Sequence, residues 1–207
     1  MKVDLLAITP NAERLIEEAG RTCYLSFDKA GEDTHKRFIR MIIRSGHYSV
    51  LEHAYATFRI KGGSRSFTHQ LVRHRLCAFS QQSQRYVDES NFSTIMPESI
   101  EKNKEAKTLF ENFINNAKEV YTRLQSIGIK KEDARFILPN AVESEIVVSA
   151  NFRELRHIFK ERCSKAAQWE IREIALEMLK IMKGHAPTVF EDFEIDHKEK
   201  VAVISKK

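Results

Sequence analysis

HAYATFRIKGG, residues 53–63, alternates without a break: Ala54, Ala56, Phe58 and Ile60 fall on one side, and Tyr55, Thr57, Arg59 and Lys61 on the other. That period of two is the mark of a half-buried antiparallel strand, which Gly62-Gly63 is expected to end. Upstream, Lys2 to Thr9 reads as a first strand. Thr9-Pro10 then offers a cap and a first helical residue for a helix whose apolar face is Leu15, Ile16, Ala19 and Cys23. A second helix, Asp33 to Ser45, should bury Phe38, Met41 and Ile42, with Gly46 at its left-handed end. Downstream, Ser64 or Ser66 can cap a helix reaching about Leu76, in which Phe67 and Leu71 form the apolar side while Gln70, Arg73 and His74 share another.

A polar stretch follows to about Ser99. A helix of roughly 25 residues then carries Phe110, Phe113, Ala117, Val120 and Leu124 at helical spacing, with Gly128 closing it; such a stripe fits helix-to-helix packing within or between subunits. A short helix holding Arg135 stops before Pro139, Glu143 to Ala150 reads as a strand, and Asn151 is placed to cap the helix after it. The last long helix, about Lys165 to Lys183, should bury Trp169, Ile174, Met178 and Met182. No repeat or linker interrupts the pattern, so one α/β domain of the α+β type over 1–207, an antiparallel sheet flanked by helices, is the simplest account.

Composition agrees with a globular, helix-rich protein: 207 residues, 42% hydrophobic, 30% charged, seven Gly and four Pro. The net charge of +5 favours anionic ligands without naming one. Cys23, Cys77 and Cys163 are too scattered for a CxxC pair. The start, MKVDLLAITP, resembles no leader, and no run of about 18 apolar residues occurs, so a cytoplasmic protein off the membrane is expected.

Chemistry concentrates in RHRLCAFSQQSQRY, residues 73–86. Arg73, Arg75 and Arg85 supply guanidinium forks that grip phosphate oxygens. Gln81, Gln82 and Gln84 can read the edge of a base, and Tyr86 can stack on a flat ring. Residue types alone leave three readings open: a nucleotide site, a solvated basic face, or a nucleic-acid surface. Arg153 and His157, four apart behind Asn151, share one helix face near a helix N-terminus suited to phosphate or carbonyl oxygens, or are simply an N-cap with surface charges.

Arg73-His74-Arg75 followed after seven residues by Ser83 resembles the signature of flavin-dependent thymidylate synthases. GHYSVLEH (46–53), ARFILP (134–139) and NFRELRHIFKERCSKAAQWE (151–170) resemble further blocks of that family in the expected order, over about residues 12–193. The resemblance implies a homotetramer with active sites shared between subunits. It would bind FAD and dUMP, use 5,10-methylenetetrahydrofolate as carbon donor and NADPH as reductant, and make dTMP, with no nucleic acid or membrane partner.

Carried over residue by residue, the resemblance implies that flavin is held by Ser49, Arg73, His74, Arg75, Gln81, Asn151, Arg153 and His157, with Ser26 a lesser candidate and His47 at the folate or nicotinamide face. It places dUMP on Gln70, Arg73, Gln81, Gln82, Ser83, Gln84 and Arg85, with Arg135 reaching in from a neighbouring subunit. Arg162 would sit at the uracil as the activating, catalytic residue, since a guanidinium beside N3 stabilises charge pushed into a ring whose carbon 5 is a poor nucleophile. Gln81 and Ala166 stand where some members carry Glu and His, which weakens the contacts carried over there.

Other chemistries fit less well. Cys77 lies among Leu76, Ala78 and Phe79 with no base, so it reads as packing, and Ser83 lacks a base that would make it a nucleophile. The histidines follow no HExxH or Cys/His pattern, so no metal is expected. No GxGxxG follows a strand, so a bound flavin cannot lie in a Rossmann crevice. A flavin- or nucleotide-binding regulator without turnover is the remaining rival.

Overall fold

In a computed structural model describing residues 1–205, the chain is a mixed helix and antiparallel-sheet protein. Its strands are β1 (Lys2–Ile8), β2 (Tyr55–Ser64), β3 (Ala78–Gln81), β4 (Glu143–Asn151), β5 (Phe193–Asp196) and β6 (Val201–Ile204). Its helices are α1 (Ala12–Thr22), α2 (Thr34–Arg44), α3 (Arg65–Leu71), α4 (Glu98–Glu101), α5 (Lys104–Ser126), α6 (Lys131–Ala134), α7 (Phe152–Arg162), α8 (Trp169–His185) and α9 (Pro187–Phe190). One sheet has the order β1-β2-β4-β3, and β5 pairs antiparallel with β6. The chain forms two compact units, one of residues 1–60, 71–79 and 147–207 and one of 61–70 and 80–146, so β2, β3 and β4 each carry residues of both.

The first unit is built on the alternation seen in the sequence. Ala54, Ala56, Phe58 and Ile60 are buried, and Phe152 N donates to Ala54 O at 2.8 Å where β4 gives way to α7. Helix α7 buries Leu155, Ile158 and Phe159, and Phe159 meets Phe190 and Phe193 edge-on at 5.6 and 6.1 Å between ring centroids. Ile174, Met178 and Met182 of α8 are buried as expected, but α8 starts at Trp169 rather than Lys165 because Gln168 caps it, and Trp169 is only half-buried.

The start of α1 departs from expectation. Thr9 cannot cap it, because its hydroxyl accepts from Tyr55 N at 2.9 Å; Asn11, with φ of 47°, precedes the helix instead. Its buried side is Ala12, Ile16, Glu17, Gly20 and Arg21, while Cys23 is exposed. Glu17 and Arg21 pair at 2.6 Å, which lets a polar edge enter the core, and Gly20 is required because a Cβ there would lie 2.3 Å from the Phe38 ring. In α2 the buried apolar residues are Ile39 and Ile42, whereas Met41 is 48% exposed. Gly46 is left-handed, φ 71°, as its position after α2 suggested.

The second unit has its own small core of Phe92, Ile114, Ala117 and Val142, with Phe110, Ile137 and Leu138 against it. Helix α5 runs where its periodicity put it, but Tyr121 and Ile114 go inward while Phe113 and Val120 stay exposed. Strand β2 does not end at Gly62-Gly63: Gly62 takes φ 73° and the strand continues to Ser64. Ser64 then caps α3, its Oγ accepting from Phe67 N at 3.1 Å. Strand β3 and the β5–β6 hairpin carry too few alternating residues to stand out in the sequence. The last two residues of the Lys-rich tail lie outside those described. Among the described residues, no helix is long and apolar enough to cross a membrane.

Candidate active site

Helix α3 ends at Leu71, five residues before the expected stop, so Gln70, Arg73 and His74 do not share a helix face. Two tight turns replace the helix, with His74 N donating to Leu71 O at 3.1 Å and Cys77 N to His74 O at 3.2 Å. They turn His74 inward, 5% exposed, and leave Arg73 and Arg75 outward in the solvent. Neither glycine nor proline marks this stop, which is why the sequence concealed it.

His74 meets α7. Arg162, the last residue of α7, donates from Nε to His74 Nε2 at 3.0 Å. Glu154 Oε1 faces His74 Nδ1 at 3.5 Å, and the His157 ring lies edge-on to His74 with centroids 5.6 Å apart. Burial, with help from Arg162 and His157, lowers the His74 pKa from 6.5 to about 4. The ring is therefore neutral near pH 7. Because Nε2 accepts from a guanidinium that is always charged, its single proton sits on Nδ1, toward Glu154. Burial also raises the Glu154 carboxyl, opposed by His157 and Arg153.

His74, Glu154 and His157 offer ligand atoms within 4.8 Å of one another, the spacing of a divalent-metal site. The chemistry does not suit one. Nε2 of His74 is taken by Arg162, so a metal on Nδ1 would need the ring to lose its last proton, beside a fixed positive charge.

The first residues of α7 work as the sequence suggested. Asn151 Oδ1 accepts from Glu154 N at 2.8 Å, capping the helix, and its NH2 can still donate to a ligand. Asn151, Arg153 and His157 line one cavity of about 730 Å³, together with Tyr48, Tyr55 and Leu76. Arg153 also lines a second cavity of about 1060 Å³, with Ser26, His47 and Ser49. Arg153 is held by Glu52, Nη1 to Oε1 at 2.5 Å.

The remaining candidates lie in the other compact unit, where most of their side chains already have protein partners. Gln70 Nε2 donates to Ser66 O at 3.4 Å within its own helix. Gln81 Nε2 donates to Thr68 and Ser144 at 3.0 and 3.2 Å, and Gln82 Nε2 to Glu89 at 3.0 Å. Ser83 Oγ accepts from Arg85 N at 3.3 Å, and Gln84 is buried. Arg85 donates to Glu132 Oε2 from Nη2 at 3.0 Å, and Arg135 Nε to Glu132 O at 3.1 Å. Arg85 and Arg135 thus converge on one residue, a carboxylate side chain for one and its carbonyl for the other.

Three residues of consequence were not singled out from the sequence. Glu154 stands three after the Asn151 cap, the spacing of a capping pair, which was the one available signal. Arg156 is buried against the Asp192 carboxylate, 2.7 Å from Nη1 to Oδ1, an ion pair no local pattern reveals. Arg65 is partly buried near Arg135, and burial followed by that like charge lowers its pKa. Cys77 and Cys163 are both pushed up to about 12, chiefly by burial, so neither is a thiolate nucleophile.

The Thy1 family, described as thymidylate synthase complementing protein, matches residues 4–188. A flavin-dependent thymidylate synthase of Geobacter sulfurreducens is 44% identical over 200 residues, covering 93% of this chain and 86% of that one. Its namesake in Nitratidesulfovibrio vulgaris is 42% identical over 208 residues, covering 91% and 85%. Among solved structures, a flavin-dependent thymidylate synthase from Helicobacter pylori complexed with FAD and dUMP superposes with a TM-score of 0.78 at 26% identity, covering 93% of this chain and 99% of that one. A mixed helix-and-sheet fold that could grip a ligand with side chains from several elements defines the class. The chain belongs to the flavin-dependent thymidylate synthase family.

Proposed function

We propose that the chain, with residues 1–207 acting as one synthase domain, converts dUMP to dTMP. FAD would supply the hydride to substrate, with 5,10-methylenetetrahydrofolate as the carbon donor and NADPH as the reductant. The protein would work in the cytoplasm as a homotetramer whose subunits share active sites. The observation that carries this reading is the bond from Arg162 Nε to a neutral, buried His74, at 3.0 Å.

That bond fixes the arginine head and leaves its two terminal nitrogens as a fork for a planar acceptor. Uracil presents its flanking carbonyl as an acceptor, and N3 as a second one once the N3 proton, itself a donor in the neutral ring, has been removed. A permanent cation there stabilises the negative charge that develops as carbon 5 becomes nucleophilic. The residues lining the adjoining cavity fit a flavin: Tyr48 and Tyr55 offer flat faces, while Asn151, Arg153 and His157 offer donors for carbonyl or phosphate oxygens. Bound FAD would supply a two-electron relay from reductant to substrate. Neutral His74 holds Arg162 without adding a second positive charge beside the ring. Ser83 and Arg85, with Arg135 of a neighbouring subunit, are read as dUMP ligands, and an incoming phosphate would compete with Glu132 for Arg85.

The test is NADPH oxidation by the FAD-loaded protein with dUMP and methylenetetrahydrofolate present or absent, with dTMP measured directly. Formation of dTMP only in the complete mixture is expected. A protein that takes up flavin and dUMP yet makes no dTMP would be a binding regulator instead.

A further inference from the structure

Glu154 is a buried acid aimed at one ring nitrogen. Its carboxylate faces His74 Nδ1 at 3.5 Å and makes no other hydrogen bond or ion pair among the described residues. Glu154 stands third in α7, where a capping glutamate would turn back to the Asn151 N–H, but only half of that exchange forms. Asn151 Oδ1 accepts from Glu154 N, while the Glu154 side chain turns to His74 instead. Burial opposes the charged form of such a group, and it is the first cause of the raised Glu154 pKa, ahead of the opposing effects of His157 and Arg153. An acid buried in spite of that cost, and turned away from its capping role, acts on the ring it faces.

A neutral imidazole carries its proton on either nitrogen, and the two forms differ in what they do to Arg162. With the proton on Nδ1, the Nε2 lone pair accepts from Arg162 Nε at 3.0 Å; with the proton on Nε2, two N–H groups would face each other and the arginine would be released. The first form leaves a buried N–H on Nδ1 that needs an acceptor, and Glu154 faces it. The other titratable neighbours do not replace that carboxylate: the His157 ring meets His74 edge-on, Arg153 is held by Glu52, and Cys77, a thiol pushed up to about 12, stays uncharged. The frame around the ring is fixed at both ends. Glu154 and Arg162 belong to one helix, about 12 Å apart along its axis and too far for an i, i+4 pair. His74 fills the gap, its backbone held by the bonds from His74 N to Leu71 O and from Cys77 N to His74 O.

We propose that Glu154 is the positioning residue for Arg162: it accepts a hydrogen bond from His74 Nδ1–H, so that Nε2 stays a bare acceptor and the guanidinium keeps one orientation. What the oriented arginine does to a substrate rests on the function proposed above. The hold of Glu154 on the ring does not, and it has its own readout.

Nitrogen NMR of the FAD-loaded protein with isotope-labelled histidine reads the tautomer directly, His74 being assigned by the signal missing in H74Q. Near pH 7 the unaltered protein should carry the proton on Nδ1, with Nε2 showing the shift of a hydrogen-bonded lone pair. In E154A the Nε2-protonated form should appear, and kcat for dTMP formation should fall about tenfold with the dUMP KM little changed. E154Q, whose amide oxygen still accepts, should keep the Nδ1 proton and most of kcat. E161A, which removes an exposed acid of the same helix, should change neither. A proton on Nε2 in the unaltered protein would overturn the proposal whether or not any variant folds. So would E154A keeping both the Nδ1 proton and kcat, or E154A and E154Q losing kcat alike with the tautomer unmoved, which would make Glu154 a structural acid alone. The expected ring shifts, with their change in E154A, in a protein that makes no dTMP would uphold the hold on the ring and count against the proposed function instead.

Discussion

Helix α7 with His74 and the segment 81–85 with Arg135 hold their charges in opposite ways. On α7 the decisive groups are locked to one another around the buried His74 ring: half-buried Arg162 donates to it at 3.0 Å, and buried Glu154 faces it at 3.5 Å. In the other unit the candidate phosphate-binding Arg85 is exposed and rests on a carboxylate, Glu132, at 3.0 Å. The first arrangement is preorganised, so its geometry does not wait for a ligand. The second is provisional, because an exposed ion pair is worth only about 0–1 kcal/mol and gives way readily to a better anion. On the proposed function, the difference puts rigid electrostatics where charge would develop and exchangeable pairs where a substrate would arrive and leave.

Removing the preorganised cation should have the largest effect. Arg162→Ala is expected to lower kcat by about 10²–10³, the usual scale for losing one fixed charge stabiliser, while the flavin absorbance of the purified protein is retained. Unchanged turnover would end the contrast at its stronger pole.

His74 comes next and shows itself in pH. Its pKa is held at about 4 in the fold against an ordinary 6.5, so between those values the unfolded chain binds the extra proton. The stability it contributes is complete above about 6.5 and is lost as pH falls to about 4, on the order of 3 kcal/mol. Glu154, raised by burial, acts with the opposite sign: its share is present below 4.5 and is lost as pH rises through its raised value. Urea melts of His74→Gln should therefore show a flatter acid limb than the unaltered protein, and an identical slope would mean the ring is not held neutral.

The provisional side predicts binding effects without stability effects. Arg85→Ala should raise the dUMP KM by about tenfold, with thermal stability nearly unchanged because only an exposed pair is lost. Glu132→Gln should act the other way, lowering that KM a few-fold by removing the carboxylate that competes with phosphate. If Glu132→Gln weakens dUMP instead, Arg85 is positioned by Glu132 and the two regions are alike.

The smallest effect belongs to the cap. Asn151→Ala should cost about 1 kcal/mol in thermal unfolding, with the larger part of any loss in flavin affinity attributable to the side-chain NH2. Asn151→Asp separates the two, since it keeps the capping oxygen and removes the donor.

Much of this was legible in the residues themselves. Strand β2, α5, β4 and the Asn151 cap follow from periodicity and cap chemistry, because both depend on neighbours within a turn or two. The Arg73-His74-Arg75 and Ser83 signature marked the candidate segment, and family blocks marked Arg135 and Arg162 as candidates. The early end of α3, the inward turn of His74, the tautomer imposed on it and the exposure of Met41 depend on groups far apart in the chain. Arg162 and His74 are 88 residues apart, and no local rule joins them. Short-range order is set by backbone geometry and is therefore written along the chain. Burial and electrostatic pairing are set by whichever distant side chain arrives, and only the folded protein decides that.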